Sequence, residues 1–330
     1  MGNNNKIKLV LVSLAAALLI TAILLTAVIF DQNKATSDVE GNLDKVMAYG
    51  GVDYVLKDRV ETFLILGLDK YEENITSDSY NNNQQSDFLM LMVFDNEAKT
   101  YSTIHINRDT MVDIDVLGVA GNKVDSVRRQ IALAHTYGNG GAISNSNVAR
   151  SVSSLLCDVR INYTMSLTLD SISAMNGIVG GVTIDEVLDD FSDVEGGERL
   201  IKGAKDITLT DAEAQLYVQH RRELDDSSNA NRMIRQRQYL EAMRLKIEAR
   251  AEADEEFPVK AALEMSEYMM YNCSETVLQG LAEKMQEYEF VEIKEIDGES
   301  SVGADGKMEF VPNEDSVKQL VINLFYKPKK

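Results

Sequence analysis

The sequence predicts an α/β fold, helices layered on a largely parallel sheet, and three observations carry that expectation. Almost wholly apolar runs at 61–68 and 88–94, followed by a third strand at 101–106, have the form of buried strands. Helical patterns alternate with further strands from residue 123 to residue 184. The early strands also end in loops that carry charged side chains, the place where open α/β sheets bind ligands.

Taken in order, Leu9 to Phe30 is apolar apart from Ser13, Thr21 and Thr26. At about 1.5 Å per helical residue it reaches roughly 30 Å, enough to cross a bilayer. Lys6 and Lys8 precede it, and Asp31, Asp38 and Glu40 follow. Residues 1–8 are therefore expected in the cytoplasm and the rest outside. A cleaved signal peptide is the alternative. The run exceeds the usual apolar region of one, and no A-x-A site closes it, so a retained anchor at 9–30 is favoured. Residues 31–60, polar and charged with Gly41, Gly50 and Gly51, read as an extracellular stalk with some helix.

The strand at 61–68 delivers Asp69 to an asparagine-rich loop at 71–85. Ser86-Asp87 leads into the second strand, Asp95-Asn96-Glu97 turns the chain, and Tyr101 to Ile106 runs into Asn107-Arg108-Asp109-Thr110. Lys123 to Tyr137 reads as a helix, with Val127, Ile131 and Ala134 or His135 along one side and Gly138 and Gly140-Gly141 ending it. A helix at 147–156, a strand at 161–169, a helix at 171–179 and a strand at 182–184 follow. Residues 240–286 read as long helices broken at Pro258. A strand at 290–296, a turn-rich loop at 298–306 and a closing helix at 315–325 complete the chain.

The chain is acidic, with a formal net charge of -20, yet Arg221, Arg222, Arg232, Arg235 and Arg237 lie close together. Thr210 followed by Glu213 reads as a capping box opening a helix that ends in Gln219, His220 and Arg221. Asn229 or Asn231 can cap a second helix, with Arg232, Arg235, Gln236 and Tyr239 along one side. Guanidinium forks at two helix ends suit a phosphate or pyrophosphate. A solvated arginine-rich helix face is the other reading of the same spacing.

Acidity argues against nucleic acid, whose binding needs a basic surface. Cys157 and Cys273 stand far apart without a CxxC, and His105, His135 and His220 are widely spaced without an HExxH. Neither a disulfide framework nor zinc chemistry is indicated, and a single pairing of the two cysteines stays open. Phosphate-loop, dinucleotide and nucleophile-elbow motifs do not occur.

The ordered set of pieces resembles the LytR-CpsA-Psr family of cell-wall proteins of Gram-positive bacteria. The pieces are the anchor, Leu64-Ile-Leu-Gly-Leu-Asp69, Ser86-Asp87, Asn107-Arg-Asp-Thr110 and Asn122-Lys123. They continue with Ala134 to Gly141, Gly180-Gly-Val182, Leu216-Tyr-Val-Gln-His-Arg221 and Arg232-Met-Ile-Arg-Gln236. The resemblance places a catalytic domain at 61–326, with core motifs at 61–245 and an extension at 246–326. It implies a three-layer α/β/α sandwich around a mixed sheet, with a long apolar pocket for a polyprenyl chain.

It also implies a Mg²⁺-dependent phosphotransferase. Such an enzyme moves a glycopolymer of teichoic-acid or capsule type from undecaprenyl pyrophosphate onto peptidoglycan. Carried over by position, Asp69 and Asp87 look like the Mg²⁺ carboxylates. Arg108, Arg221, Arg232 and Gln236 look like pyrophosphate contacts, joined by Gln85, Gln219 and Lys123. Asp109 is the candidate for orienting Arg108 or for helping to deprotonate the acceptor hydroxyl. Carboxylates of the early strands and arginines of the late helices are expected to meet at the mouth of the apolar pocket.

The sequence departs from the family pattern at three places. Gln85 stands where the family usually has an arginine, Gln219-His220-Arg221 replaces Arg-x-Arg, and Asn107 replaces a proline. Two cations are thus missing unless Arg222, Arg235 or Lys123 compensates, and each charge-assisted bond is worth roughly 1.5–3 kcal/mol. These departures keep a second reading in play, a polyprenyl-pyrophosphate-binding regulatory protein without efficient turnover.

Overall fold

The computed structural model describes residues 39–69, 84–118, 121–220, 229–254 and 256–329. The expected anchor at 9–30, most of the asparagine-rich loop and Arg221 lie outside them. No helix among the described residues is long and apolar enough to cross a membrane. The described chain forms two compact units, a sheet unit (39–167, 270–273 and 291–329) and a helical unit (168–269 and 274–290).

The sheet unit begins with a hairpin of β1 (Val46–Tyr49) and β2 (Val52–Leu56), where the sequence predicts a stalk with some helix. Gly50 and Gly51, both at positive φ, make its turn. The main sheet holds β3 (Val60–Leu68), β4 (Ser86–Asp95), β5 (Thr100–Ile106), β8 (Tyr163–Thr168), β11 (Met269–Tyr271) and β12 (Glu289–Glu295). They lie in the order β11-β8-β3-β4-β5-β12. Its centre, β3-β4-β5, is antiparallel, which corrects the expectation of a largely parallel sheet. The connection decides this. Only Asn96 to Lys99 separates β4 from β5, and so short a link can join only antiparallel neighbours. Asp95 fixes that turn by accepting from the backbone N–H of Glu97 (3.1 Å) and Ala98 (2.9 Å).

Leu64, Leu66, Leu89, Leu91, Val93, Ile104 and Ile106 form one face of the sheet. They share a core with Val148, Ala149 and Val152 of α1 (Ala142–Leu155) and with Val321 and Phe325 of α7 (Glu314–Phe325). Alternation places Phe63, Met90, Met92, Phe94 and His105 on the opposite face, and these are buried as well. Burial on both faces is why β3 and β4 read as nearly unbroken apolar runs.

Two further segments differ from expectation. Residues 123–137 are a strand, β7 (Lys123–Gln130), followed by a 3-10 segment, Ile131–Tyr137, rather than one helix. β7 pairs with β6 (Met111–Leu117), the strand just before it, and that hairpin ladder overrides the helix-like spacing of Val127, Ile131 and Ala134. The loop expected at 298–306 opens with β13 (Gly298–Val302), which forms a hairpin with β14 (Met308–Pro312). A last strand, β15 (Tyr326–Pro328), pairs with β2.

The helical unit contains α2 (Asp170–Val179), the ribbon of β9 (Thr183–Glu186) and β10 (Lys205–Thr208), α3 (Asp211–Gln219), α4 (Asn229–Ala253), α5 (Phe257–Met265) and α6 (Glu275–Glu287). Val179, Ile184, Phe191, Leu200, Tyr217, Tyr239 and Met243 are among its core residues. The capping box forms as expected. Thr210 Oγ1 accepts from the N–H of Glu213 (3.3 Å), while the Glu213 carboxylate accepts from the N–H of Thr210 (2.9 Å). Pro258 sits in the first turn of α5, where a missing N–H costs nothing.

Candidate functional site

In the sheet unit the site grows from one irregularity. Gly67 pairs with Phe88 but Leu68 pairs with Ser86, so Asp87 is the extra residue of a β-bulge at the start of β4. Bulges re-aim side chains at strand ends, and this one sits beside the exit of β3, where Asp69 is exposed. The close approach depends on Gly67, because a Cβ there would lie 2.8 Å from Phe88 Cβ.

The turn between β5 and β6 brings Arg108 to the bulge. Asn107 shapes that turn: its Oδ1 accepts from the N–H of Asp109 (3.0 Å), and its carbonyl from the N–H (3.0 Å) and hydroxyl (2.6 Å) of Thr110. A side chain that closes its own turn does here what a proline achieves by restricting φ. The 3-10 segment then braces both strand ends. Ala132 N–H donates to Arg108 C=O (3.1 Å), Ile131 N–H to Thr110 C=O (2.7 Å), and Ser86 Oγ to Ala132 C=O (3.4 Å). His135 Nδ1 lies 3.1 Å from Gln84 C=O. A carbonyl can only accept, so Nδ1 carries the proton. Burial, opposed by hydrogen bonds to Gln84 and Asn145, takes the His135 pKa down to about 4.

The Arg108 guanidinium is almost wholly buried and surrounded by oxygens. It pairs with Asp87 through Nη1, donates to Gln85 Oε1 through Nη2, and has Asp109 Oδ1 3.7 Å from Nε. Asp109 accepts in turn from Gln130 Nε2 (3.3 Å), which also donates to Met308 C=O (2.5 Å). Gln85, Asp87, Arg108 and Asp109 are thus brought together, with Asp69 at the neighbouring strand end. Sequence reasoning missed Gln130 and His135. The structure does not bring Lys123 to this group. It pairs with Asp115 (2.7 Å) and stands opposite Leu117, about 20 Å along the ribbon from the Met111–Gln130 pair.

In the helical unit, Arg232, Arg235 and Gln236 are buried on α4, which rules out the solvated-face reading for them. Arg232 Nη2 donates to Asn229 Oδ1. Gln236 Nε2 donates to Val218 C=O (3.1 Å). Arg235 is one of the largest fully buried side chains and is committed to Asp189, Tyr217 and His220. It is not available to replace a missing cation at a ligand. Gln219, the last residue of α3, is exposed.

Asp69 and Asp87 suit Mg²⁺ by donor type: hard carboxylate oxygens at adjacent strand ends, with Asp69 open to water. Mg²⁺ commonly takes one or two such groups and completes its shell with water and phosphate oxygens. Among the described residues no group of three or more His, Cys, Asp or Glu gathers as a cage.

Residues 26–325 match the LytR_cpsA_psr family. No curated protein matches the chain. Among solved structures, TagT bound to LI-WTA is similar at 21% identity and a TM-score of 0.57, covering 81% of this chain and 90% of that one. TagV of B. subtilis is similar at 22% identity and a TM-score of 0.58, covering 82% and 97%. A Streptococcus agalactiae protein reaches a TM-score of 0.60 at 18% identity, covering 80% and 87%. At these identities the likeness establishes an α/β fold with a mixed sheet, and the family match carries the rest: the chain belongs to the LytR-CpsA-Psr family.

Proposed function

We propose that the chain is a phosphotransferase of the bacterial envelope. It moves a glycopolymer of teichoic-acid or capsule type from undecaprenyl pyrophosphate onto peptidoglycan and releases polyprenyl phosphate. The observation that carries this is Arg108, held beside Asp87 on a bulge and braced by Gln85 and Asp109. Family membership supports a role in cell-wall glycopolymer transfer. The similar TagT was solved bound to LI-WTA, which supports a polymer of that kind as ligand.

Phosphoryl transfer asks a protein chiefly to align reactants and neutralise charge. In this reading the Arg108 fork binds oxygens of the diphosphate, and its orientation is set in advance by Asp109 at its Nε and by the Asn107 turn beneath it. Asp109, only 3% exposed, has the orienting role rather than that of a base toward the acceptor. Asp69 and Asp87 would hold Mg²⁺, which when bound supplies further neutralisation of the diphosphate. Gln219, Arg221, Arg232 and Gln236 are assigned to the same ligand on the family resemblance. The second apolar face of the sheet, with Phe63, Met90 and Met92, supports a polyprenyl-binding reading, since methionine adapts to irregular apolar ligands. The anchor at 9–30 and an extracellular catalytic domain complete the proposal.

The test incubates the full chain with a polyprenyl-pyrophosphate-linked glycan, peptidoglycan and Mg²⁺. Polyprenyl monophosphate should be released, and release should fall at least about 100-fold in Asp87→Ala and in Arg108→Ala. Binding of the donor without release in the unaltered chain would replace transfer by the regulatory reading, which Gln85 and Gln219, standing at positions of family arginines, keep alive.

A further inference from the structure

The Arg108 turn has a neighbour that the transfer reading leaves unused: Gln130, the last residue of β7. Its amide nitrogen lies 3.3 Å from Asp109 Oδ1 and 2.5 Å from Met308 C=O. A carboxylate and a carbonyl accept, so the NH2 group faces both and divides its two hydrogens between them. The backbone that carries this side chain is fixed on either side. Gln130 pairs with Met111 at the start of β6, and the next N–H, that of Ile131, donates to Thr110 C=O (2.7 Å). β14 is fixed as well. Phe310 N–H donates to Asp109 C=O (2.8 Å), Phe310 bridges Thr110 in parallel, and its side chain is buried in the core of the sheet unit.

Asp109 therefore meets two donors that differ in kind. Arg108 Nε stands 3.7 Å from Oδ1, an ion pair longer than a hydrogen bond, while Gln130 reaches the same oxygen with a neutral N–H. The difference matters for a fork that has to bind an anion. A neutral donor holds the carboxylate in one orientation and leaves its charge facing the guanidinium. A lysine at 130 would claim that charge for itself. With Oδ1 pinned by the amide, Nε is drawn to one place, and the fork is ordered before the ligand arrives.

We propose that Gln130 is a positioning residue for the Arg108 fork. It holds the Asp109 carboxylate against Nε and takes its own support from β14, so the C-terminal hairpin helps to set how the β5–β6 turn presents its cation. This rests on the transfer reading, in which Arg108 binds the diphosphate.

The experiment measures binding of undecaprenyl diphosphate and of undecaprenol to the full chain in detergent, at about pH 5.5 and about pH 8. The proteins are the unaltered chain, Gln130→Met and Gln130→Glu. Gln130→Met keeps the length of the side chain and loses both donors. It should weaken the diphosphate about fivefold or more at either pH and leave the alcohol unchanged. In Gln130→Glu the new carboxyl faces Asp109, with Arg108 and Asp87 beyond it. Of the charged neighbours in sequence, Arg129 alternates to the other face of β7, and Glu309 of β14 lies against Gly303. Repulsion between two close carboxylates favours keeping a proton on one of them. At the lower pH that proton bridges the pair as the amide N–H did, so Gln130→Glu should bind the diphosphate more tightly than Gln130→Met. At the higher pH two ionised carboxylates repel, and the order should reverse. Neither a mere brace for the hairpin nor the added charge alone would produce that crossing. Equal loss for diphosphate and alcohol, unchanged diphosphate affinity in Gln130→Met, or Gln130→Glu no tighter than Gln130→Met at the lower pH would each overturn the inference and leave transfer standing. Absence of diphosphate binding by the unaltered chain would overturn both.

Discussion

A guanidinium has five N–H donors and no acceptor, so Arg108 needs oxygen around it, and Gln85 supplies one. An arginine at 85 would replace that acceptor with a second cation beside the first. Gln85 is therefore more than a lost charge: its amide holds the Arg108 fork in place. Gln85→Arg should lower kcat/KM for the lipid-linked donor by roughly 10–100-fold, the range of one lost charge-assisted hydrogen bond of about 1.5–3 kcal/mol. Gln85→Glu, which keeps the acceptor, should stay closer to the unaltered rate. Steady-state release of polyprenyl phosphate reads both, and a faster Gln85→Arg enzyme would show that position 85 wants a cation after all.

One element, the 3-10 segment Ile131–Tyr137, ties the start of β4 to the Arg108 turn, and it makes the fold sensitive to acid. His135 is fully buried, and burial holds its pKa near 4 in the fold against an ordinary 6.5. The unfolded chain therefore takes up the proton first. The contribution of His135 to stability is whole above about pH 6.5, shrinks as pH falls toward 4, and is gone below that. The difference corresponds to about 3 kcal/mol. Urea midpoints at pH 7 and pH 4.5 should fall further apart in the unaltered chain than in His135→Phe. Equal falls would show that the imidazole titrates normally. How legible such elements are in sequence depends on where their partners lie. The strands at Val60–Leu68 and Ser86–Asp95 are plain because both faces are buried, and the Thr210 box is plain because its partner is three residues away. β7 is exposed along most of its length, so no face pattern marks it, and its partner β6 decides its form. The hairpin at 298–312 hides for the same reason among glycines and serines. Asp87 and Arg108 stand out as residue types, but the bulge that aims Asp87 is a matter of register. The roles of His135 and Arg235 depend on carbonyls 51 and 18 residues away.

At the scale of the whole molecule, the sheet unit is closed by the two ends of the described chain. β15 pairs with β2 from Tyr326↔Leu56 to Pro328↔Tyr54, Tyr326 Oη donates to Asp44 C=O (2.8 Å), and Lys57 Nζ donates to Leu324 C=O (3.0 Å). Just before that strand, α7 buries Val317, Leu320, Val321, Ile322, Leu324 and Phe325 in the core that holds Leu64 and Leu91. Full burial of such a side chain is worth about 1.5–3 kcal/mol. Six of them together amount to roughly 9–18 kcal/mol, as much as the entire net stability of about 5–15 kcal/mol that a domain possesses. A chain ending at Asn313 keeps every residue of the Arg108 site and the β14 contacts, Phe310 N–H to Asp109 C=O (2.8 Å) and Gln130 to Met308 C=O, yet it should not fold the sheet unit. A chain ending at Pro328 loses, among the described residues, only the exposed Lys329 with its N–H bond to Asp53 C=O (2.8 Å), and it should melt within a few degrees of the full protein. Circular dichroism melts and limited proteolysis distinguish the two. A cooperative melt from the Asn313 truncation at the full chain's temperature would mean that the sheet's own hairpins, and not the returning C-terminus, hold the Arg108 turn in place.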